Sequence, residues 1–276
     1  MLTKKTTDDA VVGVVTAILI VGLIVAVVSL VQTMYIPKIM EEREADHMDK
    51  VAEQFTDLTS VIDGQAANPN PIHTMPIATS ITLGSKELPY MLSIRAYGTL
   101  EILDNARKIT INYGSGQQNI SEIGVITYSS KNGYFLDQSY TYEAGAMIVN
   151  QSEGNLMMIR PSFSVDKKNN PLTITFDVVN IISIGEKTIS SGFGTYPIQT
   201  EFRDNSSRVT FTDVDNIIIT TPLSNAWYVF LKNALSGTPA TPTYIEQGLM
   251  LNFSEDTIVN FKIINIKAQI GPGWVE

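Results

Sequence analysis

The hydrophobic pattern divides the chain into three stretches. Residues 10–31 read AVVGVVTAILIVGLIVAVVSLV, 22 positions without a charge. A helix of that length spans roughly 33 Å, enough to cross a hydrocarbon core of about 30 Å. It exceeds the roughly 7–15-residue apolar core of a secretory signal peptide. No small-x-small cleavage pattern follows it, the next residues being Gln32, Thr33, Met34, Tyr35, Ile36 and Pro37. The pattern predicts a retained transmembrane or filament-core helix behind a short tail, 1–9. Lys4 and Lys5 hold that tail on the cytoplasmic side, so the chain after residue 35 is expected outside.

The second stretch is amphipathic. Met48, Val51, Phe55, Leu58 and Ile62 recur at helical spacing and form one apolar stripe. Glu41, Glu42, Glu44, Asp46, Asp49 and Glu53 fill the other faces. The spacing predicts a helical extension over 32–63, stopped by Gly64. Pro37 is either a kink in one long helix or the first residue of a second one. A rod from residue 8 to 63 is roughly 80 Å long. Its stripe is expected to pack on the chain's own head in its upper part and on neighbouring subunits in its lower part. His47, among acids, reads as a solvated surface residue. His73 falls in the Pro- and Asn-rich link 64–77.

From residue 78 the period changes to that of strands, short runs of Ile, Val, Thr and Tyr broken by Gly, Asn, Ser and Asp. Strands are predicted near 78–83, 91–102, 107–113, 122–129, 134–148, 156–165, 171–180, 195–202, 207–212, 215–220, 243–251 and 257–267. Asn132-Gly133 reads as a hairpin turn. Thr221-Pro222 reads as the start of one helix near 222–235. The fold class predicted is α+β: a long N-terminal helix, then a mostly β, sandwich-like head over 78–276.

Within the apolar stretch, Gly13/Ala17 and Gly22/Ala26 are small-xxx-small pairs. Gly13 and Gly22 stand nine positions apart, about half a turn in angle, so the pairs face opposite sides. One helix with two close-packing faces suits a bundle of identical helices. Gly and Ala are also common in membrane helices generally.

Composition narrows the chemistry. The formal net charge is −9, split −5 over 1–63 and −4 over 64–276. Nucleic acid, which requires a basic face, is not an expected partner. With no cysteine and two histidines, disulfides, thiolate metal sites and Cys- or Ser-His triads find no support. Gly114-Ser115-Gly116 lacks the Lys-Ser/Thr of a phosphate loop, and Asp213-Val214-Asp215-Asn216 runs into Ile217 rather than a calcium loop's glycine. No catalytic, cofactor or metal residues are predicted, and the scattered aromatics read as core. Asn119, Asn150, Asn205 and Asn252 head sequons, a number chance alone produces; Asn205, in a turn-like stretch, is the best placed for a glycan.

The N-terminal stretch KKTTDDAVVGVVTAILIVGLIVAVVSLVQTMYIP resembles the signature of archaeal type IV pilin-like proteins. The stretches EEREADHMDKVAEQFTDLTSVID, TSITLGSKELPYMLSIRAYGTLEI, NGYFLDQSYTYEAGAMIVNQSEG and the closing GPGWVE resemble a broad archaeal family of that kind. The resemblance implies a prepilin peptidase that cuts between Lys4 and Ala10 and leaves the helix on the protein. It also implies that Asp8 or Asp9 pairs with a neighbour's terminal ammonium, offsetting the cost of a charge in an apolar core. Lys4, Lys5, Asp8 and Asp9 serve equally well as simple markers of the membrane boundary. The chain departs from the best-known signatures in having no Gly at an obvious cut site and no Glu five positions inside the helix.

The function expected is a structural, non-enzymatic subunit of a cell-surface filament. It is held in the cytoplasmic membrane by 10–31 and assembled with copies of itself or other pilin-like subunits. The alternative is a single-span surface protein whose head binds envelope glycan or protein. An anchored hydrolase using head carboxylates ranks third, since no pair of carboxylates stands out.

Overall fold

In the computed structural model, residues 5–67, 75–85, 96–167 and 171–271 are described. They form a helical rod standing in a β head, an α+β architecture as the pattern predicts. The rod comprises α1 (Lys5–Leu30), a π-helical turn (Val31–Tyr35) and α2 (Ile36–Ala67). In the turn, the Ile36 N–H donates to the Val31 carbonyl, five residues back. Its cause is the next residue. Pro37 has no N–H for the Thr33 carbonyl, and its ring would press on that oxygen in a regular α-helix. The wider turn relieves the clash and the helix continues. Pro37 thus neither breaks the rod nor opens it; it is the second residue of α2.

Gly64 does not stop the helix, which runs on to Ala67. A glycine inside a helix costs about 1 kcal/mol, but Gln65 and Ala66 just beyond it are buried. The Gln65 amide also donates to the Thr200 carbonyl at 2.8 Å. Tertiary contact carries the helix past the break.

The head holds fifteen described strands. These are β1 (Ile77–Thr82), β2 (Tyr97–Tyr113), β3 (Gln117–Lys131), β4 (Gln138–Glu143), β5 (Ala146–Gln151), β6 (Gly154–Ile159), β7 (Ser162–Asp166) and β8 (Leu172–Ser183). There follow β9 (Ile189–Gly192), β10 (Thr195–Asn205), β11 (Val209–Phe211), β12 (Val214–Thr220), the helix α3 (Ser224–Ala234), β13 (Thr241–Ile245), β14 (Gly248–Asn252) and β15 (Thr257–Ile270). One sheet runs β1-β10-β15-β8-β7, with β11 also on β15; β15 and β8 pair in parallel. The other runs β13-β14-β12-β2-β3-β4-β5-β6, with β9 on β2.

Several expected boundaries move for identifiable reasons. Of the predicted strand 91–102, residues 91–95 lie outside the described chain. Its remainder and 107–113 form one strand, β2, broken by a bulge between Leu103 and Arg107 where Asn105 takes φ 51°. The predicted 134–148 is the hairpin β4–β5, turning at Ala144 and Gly145, both at positive φ. Alanine is rarely placed there, so the turn gives no sequence signal. The predicted 156–165 divides into β6 and β7, which belong to different sheets and flank Pro161. The predicted 243–251 is the hairpin β13–β14. Strand β9 is one the pattern does not predict. Helix α3 begins at Ser224, with its Ala226 N–H capped by Asn155 Oδ1 from β6 at 2.7 Å.

Two hydrophobic cores result, and the long strands serve both with opposite faces. Strand β2 gives Leu100 and Ile102 to one core and Ile109 and Ile111 to the other. Strand β15 divides the same way, with Ile264, Ile266 and Ala268 against Val259 and Phe261. Where the sheets approach, a Cβ on Gly124 would lie 2.0 Å from the Ile181 carbonyl. The Gly124 N–H donates there to Asn180 Oδ1 at 2.8 Å. The first core is filled by α2, the second by α3. Along the 132–137 segment and β4, Phe135, Tyr140, Tyr142 and Glu143 meet in turn Glu44, Met48, Asp63 and Trp227 of α3. The α2 core is therefore proximal to the apolar helix and the α3 core distal.

Candidate functional site

Among the described residues, α1 is itself an unpartnered apolar surface. Its apolar window has none of its residues buried and is long and apolar enough to cross a membrane. Residues such as Ile18, Leu19 and Leu23 are about two-thirds exposed. A helix apolar on every side belongs in lipid or among other helices. Thr16 and Thr33 return their hydroxyls to the carbonyls four residues back, so neither presents an unbonded donor. Among the described residues nothing lies within 4 Å of a Cβ placed on Gly13 or Gly22. Gly13, Ala17, Gly22 and Ala26 thus face outward, unpacked within the single chain. Lys4 lies outside the described residues. Lys5, Asp8 and Asp9 have a helical backbone only, their side chains lying outside the description.

The other half of the rod is seated. Met48, Val51, Phe55, Leu58 and Ile62 are all buried in the proximal core. Within the chain, none of the five is left to meet a neighbouring subunit, which corrects the expected division of the stripe. The polar seat was not legible in the sequence. Glu44 is fully buried, not on an outer face. Its carboxylate accepts the N–H groups of Gly133 (3.0 Å), Tyr134 (2.7 Å) and Phe135 (2.8 Å). Three successive N–H groups converging on one anion form a nest. Asn132-Gly133 accordingly opens a six-residue loop, 132–137, instead of a two-residue turn.

His47, expected in solvent, is buried too. Tyr128 donates its hydroxyl to the Leu83 carbonyl at 2.8 Å and its oxygen lies 3.0 Å from His47 Nε2. Burial pushes the His47 pKa below 6.5 and the Tyr128 pKa well above 10. Gly98 makes room for this group, since a Cβ there would lie 2.0 Å from the Leu83 oxygen. Higher up, Gln54 pairs with Thr82 through both its amide atoms (2.9 and 3.1 Å), satisfying a main-chain N–H of the edge strand β1. Asp63 accepts from Tyr142 at 3.3 Å, and burial raises its pKa above 3.8. Rod and head are therefore one body joined along the length of α2.

In the distal core, Glu143 binds Arg107 Nε (2.5 Å), Trp227 Nε1 (2.8 Å) and the Thr221 hydroxyl (3.1 Å). Both carboxylate oxygens are satisfied, so this network braces α3. Among the described residues no three of His, Asp and Glu converge as a metal set. Of the sequon asparagines, Asn205 is exposed at the end of β10. Asn119, Asn150 and Asn252 are half-buried within strands. His73 lies outside the described residues.

No curated protein and no solved structure matches the chain. The model of a family of unknown function (DUF7289) matches residues 10–243, from the apolar helix to the edge strand β13, and the chain belongs to that family.

Proposed function

We propose that the protein is a pilin-like structural subunit of a cell-surface filament, assembled through α1. One observation carries the reading: a continuous helix is buried in its own head along α2 and bare and apolar along α1. Before assembly, lipid covers α1; after assembly, neighbouring rods cover it. The small residues at 13, 17, 22 and 26 let two neighbours approach on opposite sides. The polar seat on α2 makes the head follow its rod, so packing the rods arranges the heads outside.

Mass spectrometry of the native N-terminus, from sheared surface material and from membranes, tests this. A start between residues 5 and 11, with the helix retained and present in the sheared fraction, is the expected result. An intact N-terminus found only in membranes would reject the filament in favour of a singly anchored surface head. Leucine at Gly13, Ala17, Gly22 and Ala26 is expected to abolish the sheared form and to spare membrane insertion.

A further inference from the structure

The distal half of the head carries a tyrosine pair that neither core uses. Tyr244 of β13 and Tyr228 of α3 stack with centroids 4.5 Å apart and planes 21° from parallel. Rings of the distal core meet edge-on instead, as Phe176 with Trp227 and Trp227 with Phe230. Tyr244 is 53% exposed, so with Tyr228 behind it much of the ring is open to solvent. Its hydroxyl donates to Asn225 Oδ1 (3.2 Å), and Asn225 Nδ2 donates to the Asn155 carbonyl (3.0 Å). A ring backed on one face and tethered at its hydroxyl has little rotamer freedom left to lose on binding.

Ser224 and Ile245, the chain neighbours of Asn225 and Tyr244, line an open cleft of about 370 Å³. Thr220, Glu246 and Gln247 also line it. The volume falls in the roughly 300–1,000 Å³ range of small-molecule sites. Its polar lining is hydroxyl, amide and carboxylate, interleaved with Ala106, Pro222 and Ile245; it holds no cation among its described residues, Lys232 being engaged over the Tyr228 ring, so it does not suit an anion. Nor does it suit a protein's apolar patch, because Thr243, Glu246 and Gln247 beside the ring are exposed and polar.

We infer that the cleft and Tyr244 form a binding site for a neutral glycan. The C–H face of a pyranose stacks on the electron-rich face of Tyr244. Its hydroxyls exchange hydrogen bonds with Ser224, Glu246 and Gln247 in the cleft. The site stands on the α3 half of the head, with Tyr244 level with Ile109 of β2 through Leu249 and Ile219, where the head of a surface protein is open to material outside the cell. It goes beyond the filament reading and does not depend on it, because one subunit holds the whole site.

The test uses the full chain in detergent micelles, where no filament is needed. Saturation-transfer NMR is run with cellohexaose, mannohexaose and chitohexaose at millimolar concentration. At least one is expected to bind, with the strongest saturation on ring C–H protons. Tyr244→Ala is expected to weaken it about tenfold, and Tyr244→Trp to retain it, at unchanged thermal midpoints. Absence of binding by all three, or equal binding by Tyr244→Ala, overturns the site. Neither result bears on whether rods assemble.

Discussion

At Glu44 a side chain of the rod terminates three main-chain donors of the head, and this exchange has a measurable worth. In Glu44→Gln the amide nitrogen would face N–H groups where an oxygen now accepts them. The loss is expected to be about 2–4 kcal/mol, read as a lower midpoint of thermal unfolding in detergent. His47 and Asp63 give the fold opposite pH slopes. Burial holds the His47 ring neutral in the native state, with Glu44 and Lys50 as its charged neighbours. The unfolded chain takes up its proton at about pH 6.5, so this contribution is whole above that pH. It falls as the pH drops toward the lower native value. His47→Gln should flatten that limb. Asp63, raised by burial, contributes fully below pH 3.8 and loses its share as the pH rises through its native value. Asp63→Asn should remove the loss and raise the midpoint at neutral pH. Gly98→Ala would set a methyl 2.0 Å from the Leu83 carbonyl and 2.7 Å from the Tyr128 hydroxyl. It is expected to leave little folded protein, as limited proteolysis would report.

Among the elements, those governed by local period were legible and those governed by contact were not. The stripe from Met48 to Ile62 could be read because 3.6-residue spacing survives any tertiary arrangement. The stop that Gly64 predicts gives way because the reward for continuing lies 135 positions from Gln65, at Thr200. The hairpin at Ala144 and Gly145 carries no turn residue at its first position, so β4 and β5 read as one run. The 132–137 loop takes its shape from Glu44, and the Tyr228–Tyr244 stack joins residues 16 positions apart. Of the polar seat on α2, the sequence offered only an acid and a histidine among other acids. The two-core use of β2, β3, β8 and β15 is hidden for a related reason, since a strand that changes its buried face simply looks hydrophobic at both parities. At the crossing, Gly124→Ala is expected to destabilise the head by several kcal/mol, on the order of the larger single-mutation effects. Exchange of the β3 and β8 amides for deuterium should be accelerated most.

Taken whole, the molecule is a lever with one arm bare and the other gripped, and the joint between them is the π turn. That joint has a vernier function. A five-back hydrogen bond encloses one residue more than a four-back one, so Val31–Tyr35 absorbs a residue without shifting the phase of α1 against α2. Met34 is 69% exposed and has little contact to lose. Its deletion combined with Pro37→Ala, which removes the cause of the wide turn, is expected to turn the segment into regular helix, with α1 facing as before. The same deletion at Val27, inside α1, would rotate the residues before it by about 100° against the head. If rods place heads, electron microscopy should find sheared filaments in the first variant and none in the second. Equal outcomes would mean that the heads ignore the azimuth of the helix that carries them.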